Sequence, residues 1–97
     1  MVKLLKVVKS DKPTKKWTAI FKMDDGREKK TNFGQKGADD YTITKNKEQR
    51  ERYRTRHKKD LKTKDPTRAG HLSFYLLWGD STSLKENIKA YKKRFNL

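Results

Sequence analysis

Between Lys16 and Met23 the side chains alternate, with Trp17, Ala19, Phe21 and Met23 on one face and Thr18 and Lys22 on the other. A period of two is the repeat of a strand with one buried face. Asp24-Asp25-Gly26-Arg27 follows, and its Asp-Gly pair predicts a two-residue hairpin turn, because both residues tolerate positive φ. The returning strand is then Glu28–Phe33. Upstream, Val2–Lys9 has strand length and β-branched residues, with lysines at every third position. Asp11-Lys12-Pro13-Thr14 reads as the turn between the two. Residues 2–34 therefore predict a three-stranded antiparallel meander.

After the meander the period changes. Phe33–Tyr41 is an irregular connector whose Gly34 and Gly37 are expected at backbone angles that other residues avoid. Their spacing matches neither glycine fingerprint for phosphate binding. Asn46–Leu61 predicts a helix, with Asn46 as its cap and Gln49 completing a capping box. Gln49, Tyr53, His57 and Leu61 recur every four residues and form one narrow stripe. Asp65-Pro66 predicts the start of a second helix, capped by Asp65, that runs through Leu72–Trp78 and stops at Gly79. Ser83 and Glu86 form the capping box of a third helix, with Leu84, Ile88, Tyr91 and Phe95 inward and Lys85, Lys89, Lys92 and Lys93 outward. Strands followed by helices imply an α+β fold with the helices packed on one face of the sheet. One domain is expected over residues 1–97, with the meander at 2–34 and the helical part at 46–97.

Composition sharpens this picture. A chain of 97 residues buries only about 60–65% of its unfolded surface. With 31% apolar and 40% charged residues it approaches the disordered range, and its ten aromatics are what make a compact core feasible. The net charge is +15, from 27 Lys and Arg against 12 Asp and Glu. Self-repulsion at that density points to a neutralising partner. Nucleic acid comes first, since a protein that neutralises phosphates releases their counterions.

Several chemistries are excluded or disfavoured. Without cysteine there are no disulfides, thiolate zinc sites or cysteine nucleophiles. His57 and His71 lie in no metal-ligand spacing, Asp39-Asp40 need not converge on one ion, and Ser73, Ser81 and Ser83 lie in no nucleophile motif. The expectation is a non-enzymatic protein with no metal, no cofactor and no small-molecule substrate. Met1–Val8 interleaves Lys3 and Lys6 with its apolar residues, unlike a secretory leader, and the longest apolar run, Phe74–Trp78, is too short to span a bilayer. A soluble, intracellular protein without membrane insertion is expected.

The sharpest candidate surface is the helix at Asn46 together with the segment after it. Lys47–Lys64 carries nine bases against Glu48, Glu51 and Asp60, so the acids cannot neutralise it. The candidate nucleic-acid-binding residues are Arg50, Arg52, Arg54, Arg56, Lys58, Lys59 and Lys62, helped by Lys89, Lys92 and Lys93. Arginine suits phosphate because its planar fork donates two bonds at once. Charge is also spread over the sheet, with ten bases and four acids in residues 1–34. Spread charge suits backbone contact, which carries no sequence information. Most aromatics are needed for the core, leaving Tyr41 or Trp78, if exposed, to stack on bases.

The order of Phe33-Gly34, Gly37, Asp40-Tyr41-Thr42, Arg52-Tyr53, Arg56-His57-Lys58, Asp65-Pro66-Thr67, Ala69-Gly70, Leu76-Leu77-Trp78 and Lys93-Arg94-Phe95 resembles a set of short basic proteins of large nucleocytoplasmic DNA viruses (phycodnavirus, mimivirus and iridovirus-like). The resemblance covers roughly residues 17–97. It implies a viral product in the virion or the infected host cell, in a cytoplasmic virus factory or the nucleus. The family often places a histidine shortly after the Tyr-Thr pair, where this chain has Thr44, so a role for a histidine pair does not carry over. Gly34, Gly37, Pro66, Gly70 and Trp78 read as architectural, whereas Arg52, Arg56 and Lys58 fit either architecture or contact. An Arg-His pair anchoring the helix to the glycine loop through Asp40 is one architectural version. Two functions follow as expectations. The first is binding of nucleic-acid phosphate backbone with little sequence preference, DNA ahead of RNA. The second is a minor structural component that cements acidic viral proteins in the particle.

Overall fold

Three strands come first: β1 (Lys3–Lys9), β2 (Lys15–Lys22) and β3 (Glu28–Gln35), in a computed structural model that describes residues 1–97. They pair antiparallel in the order β1-β2-β3. Register places Leu4 opposite Phe21, Val7 opposite Ala19, and Trp17 opposite Phe33, so the alternation read in β2 continues as one apolar face across the sheet. Ala19, Phe21 and Phe33 are wholly buried there. The register of β1 slips between Leu4 and Lys6, leaving Leu5 as an unpaired, exposed bulge residue.

The hairpin between β2 and β3 differs from expectation. The Gly26 amide donates to the Met23 carbonyl (2.9 Å) and the Met23 amide to the Arg27 carbonyl (2.8 Å), which makes the loop three residues long. Only Gly26 takes positive φ, at +86°. Asp25 is instead held by its neighbour: its carboxylate accepts from the Arg27 amide (3.0 Å) and guanidinium (2.7 Å). A turn closed by one left-handed glycine is the standard three-residue alternative.

The helical part holds α1 (Tyr41–Thr44), α2 (Lys47–His57), α3 (Ala69–Leu72) and α4 (Leu84–Arg94). The single turn α1, which no sequence pattern announced, is capped by Asp40, whose carboxylate accepts the Thr42 amide at 2.9 Å. Asn46 caps α2 as expected, accepting the Gln49 amide at 3.1 Å. The helix is shorter than 46–61, however, because the chain tightens at Lys58 into a 3-10 segment, Lys58–Thr63.

Asp65 does not cap the next helix. Its carboxylate accepts the Thr67 amide (3.0 Å) and hydroxyl (2.6 Å), closing a turn instead. Lys29 donates to the Thr67 hydroxyl and Thr31 to the Thr67 carbonyl, both at 2.8 Å. These bonds from β3 pin the turn to the sheet, and the helix begins only at Ala69. It then widens into a π-helical segment, Ser73–Leu77, closed by the Trp78 amide on the Ser73 carbonyl at 3.1 Å. Leu72, Phe74, Leu76, Leu77 and Trp78 are all buried, as befits a helix that is apolar nearly all round. Ser83 caps α4 by accepting the Glu86 amide at 3.3 Å.

These helices cover one face of the sheet, and the core joins Leu4, Ala19, Phe21 and Phe33 to Tyr41, Leu72, Leu76, Leu77, Trp78, Tyr91 and Leu97. The Tyr91 hydroxyl donates to the Pro66 carbonyl at 2.5 Å, tying α4 to the pinned turn. No helix is long and apolar enough to cross a membrane.

His71 is buried against the edge of Phe95, with ring centroids 5.9 Å apart, and its Nδ1 has no hydrogen-bond partner. Burial pulls its pKa below the ordinary histidine value, despite the opposing fields of Asp65 and Asp60. The unfolded chain therefore binds a proton near pH 6.5 that the folded chain resists, and stability falls as pH drops through that value. His71→Leu is expected to flatten the loss of Tm between about pH 7.5 and 5.5. Parallel wild-type and variant curves would place the titration on another group.

Candidate nucleic-acid interface

Helix α2 has almost no apolar face and buries no residue fully. Its position is set by two arginines one turn apart and by one aromatic ring. Arg54 donates from Nε to the Trp78 carbonyl at 2.8 Å and from Nη2 to the Asp80 carboxylate at 3.0 Å, and its guanidinium lies over Phe74. That guanidinium holds the Asp80 carboxyl below the usual carboxylate range. Arg50 lies 4.7 Å over the Tyr41 ring and pairs with Glu51 at 3.0 Å. Their side chains are only 15% (Arg50) and 23% (Arg54) exposed. Two of the expected contact residues thus turn inward and hold the helix to the fold.

The ring is Tyr53, from the stripe Gln49, Tyr53, His57 and Leu61, all four half-buried. Tyr53 stacks between Trp78 (4.4 Å, 10° interplanar) and His57 (4.1 Å, 25°). Burial raises the Tyr53 hydroxyl pKa, with the Asp60 charge adding to the effect. The Asp60 carboxylate lies 3.2 Å from His57 Nδ1.

The other expected residues face water. Arg52, Arg56, Lys58, Lys59 and Lys62 are exposed and meet no carboxylate within 4 Å. Arg52 and Arg56 lie one turn apart on one side of α2, and Lys58, Lys59 and Lys62 follow on the 3-10 segment. Lys89, Lys92 and Lys93 are exposed as well, but α4 packs chiefly on the Ser73–Leu77 segment. Those three lysines make a second patch on another element.

A third basic surface gathers charge that the sequence showed only as spread over the sheet. The sheet face turned away from the helices carries Lys3 directly opposite Lys22, and Lys6 and Lys30 flanking Ile20. Lys3 and Lys6 share that face only because the Leu5 bulge shifts the phase of β1. Like charges directly opposite repel, and Ile20 between Lys6 and Lys30 is buried. The signal present in the sequence was lysine at every third position, which an unbroken period of two divides between faces.

Tyr41 and Trp78, named for base stacking, are both buried. Asp39 is exposed and Asp40 buried, the latter accepting from Lys16 Nζ at 2.6 Å. The anchor of the glycine loop is therefore Lys16, which also donates to the Ala38 carbonyl, and not an Arg-His pair. No group of three or more His, Cys, Asp or Glu gathers at one point. Gly34 takes φ +79°, and a Cβ there would come within 2.8 Å of Leu77, so the loop leaves β3 against the core. A cleft of about 580 Å³ opens beside it, with Lys16, Gly34, Arg56, His57, Asp60 and Gly70 in its walls.

A family model matches residues 5–57, more than half of the chain. The chain belongs to DUF5754, a family of unknown function. The family segment takes in most of β1, all of β2 and β3, and the whole of α2, ending on His57. It thus holds the inward Arg50 and Arg54, the exposed Arg52 and Arg56, and the loop anchored by Lys16. No curated protein and no solved structure matches the chain.

Proposed function

We propose that the protein binds nucleic-acid phosphate backbone with little sequence preference, through Arg52, Arg56, Lys58, Lys59 and Lys62. The observation that carries this reading is unneutralised charge. Of the 27 Lys and Arg side chains only Lys16, Arg27, Arg50, Arg54 and Arg68 reach a carboxylate, leaving 22 without one. A polyanion releases counterions on meeting such a surface and relieves its self-repulsion. Basic groups on three separate faces suit contact along a backbone and give no frame for reading bases. The resemblance to proteins of large DNA viruses favours DNA as the partner, in the virion or the infected cell.

The test is a salt titration of binding to a fluorescent DNA duplex. Micromolar or tighter binding that weakens steeply with salt is expected. Arg52→Gln should lower the slope by about one unit and leave Tm unchanged. Arg54→Gln should lower Tm, because it strips the Trp78 carbonyl and Asp80 of their partner, and leave the slope in place. Absence of binding at low salt would end this reading and put attachment to an acidic protein in front.

A further inference from the structure

We infer that the exposed face of His57 is a seat for one unpaired nucleobase, continuing the column Trp78–Tyr53–His57. This deepens the phosphate-binding reading and rests on it. The three rings run nearly parallel, at 10° and 25°, with centroids 4.4 and 4.1 Å apart. One end of the column, Trp78, is closed, since that residue is only 6% exposed. The other end is open. The His57 side chain is 40% exposed, although one ring face lies on Tyr53 and the Nδ1 edge meets Asp60. The rest of the ring lines the cleft beside Gly34, and Nε2 makes no hydrogen bond within the protein.

The seat is built before any ligand arrives. Asp60 fixes the imidazole through Nδ1, and Arg54 holds the Trp78 carbonyl at the base of the column. Its surroundings supply phosphate contacts. Arg56, Lys58 and Lys59 flank His57 in the chain, all exposed and none paired with a carboxylate. A ring face between unpaired cations is the arrangement by which single-strand binders hold a base and its backbone together. In a duplex the bases are stacked on one another, so the seat predicts a preference for single strands or strand ends. Any base fits, because every base has a π-face, and the site adds no sequence preference.

The experiment compares two labelled single strands of equal length and charge, one of thymidines and one of abasic tetrahydrofuran units. Wild-type protein is expected to bind the thymidine strand about tenfold more tightly, taking base–aromatic stacking at its lower to middle range. His57→Ala should erase that preference while leaving the salt slope on the abasic strand unchanged. His57→Phe keeps a ring without the Nδ1 bond and should retain the preference, which separates stacking from a general loss of fold. Equal binding of the two strands by the wild type, or a preference that survives His57→Ala, would overturn the seat while leaving backbone binding intact. Failure of both strands to bind at low salt would remove the phosphate-binding reading and the seat together.

Discussion

Gly79→Ala is expected to cost about 3 kcal/mol, or roughly 12–24 °C of Tm in a domain of this size. A Cβ at Gly79 would lie 2.2 Å from the Tyr75 carbonyl oxygen and 2.8 Å from the Asn87 carboxamide. Neither neighbour can move freely. Tyr75 belongs to the π-helical segment, where its carbonyl is part of the backbone between the buried Phe74 and Leu76. Asn87 is 4% exposed and holds three hydrogen bonds. Its Nδ2 donates to the carbonyls of Leu76 (3.0 Å) and Ser81 (2.8 Å), and its Oδ1 accepts the Ser81 amide (3.0 Å). Pushing that side chain aside leaves buried backbone groups unpaired, each worth about 1 kcal/mol or more. Combined with Asn87→Ala, the glycine substitution should cost less than the two losses summed, because both act through the same bonds. An unchanged melting curve for Gly79→Ala would mean that α4 does not sit against the Gly79 turn as described.

The second large effect concerns binding. Replacing Lys58, Lys59 and Lys62 together by Gln should reduce the salt slope on duplex DNA by about three units, near 0.9 for each phosphate that is no longer neutralised. At about 0.1 M salt the affinity should fall on the order of a hundredfold. Stability should hardly change, since the three side chains are exposed and unpaired. The matching variant of Lys89, Lys92 and Lys93 tests the separate patch on α4. A slope that moves only with the α4 variant would shift the contact face from α2 to α4. A slope that moves with neither would direct attention to Lys3, Lys6, Lys22 and Lys30 on the open sheet face.

Much of the fold could be read directly, and particular residues show why. The alternation of Trp17, Ala19 and Phe21 marks a one-sided strand whatever it packs against. Asn46 and Ser83 cap their helices with local bonds spanning three residues. The failures share a cause. Asp65-Pro66 carries a valid helix-start signal, yet Lys29 and Thr31 reach it from β3 and hold it as a turn. The strand pattern of β1 gives no notice of the Leu5 bulge, which decides that Lys3 and Lys6 share a face. Within the candidate interface, the charge run on α2 looks uniform, and nothing local separates Arg54 from Arg52. The distinction comes from Trp78 and Asp80, more than twenty residues away.

By itself the sequence determined the strand-then-helix order, the apolar faces and the excess of basic charge, because these depend on neighbours within a few positions and on composition. Only the tertiary structure decided which bases are free for a partner, which rings form the column ending at His57, and where Lys16 and Asp40 meet. Those outcomes depend on packing between distant segments, whose geometry no local period encodes.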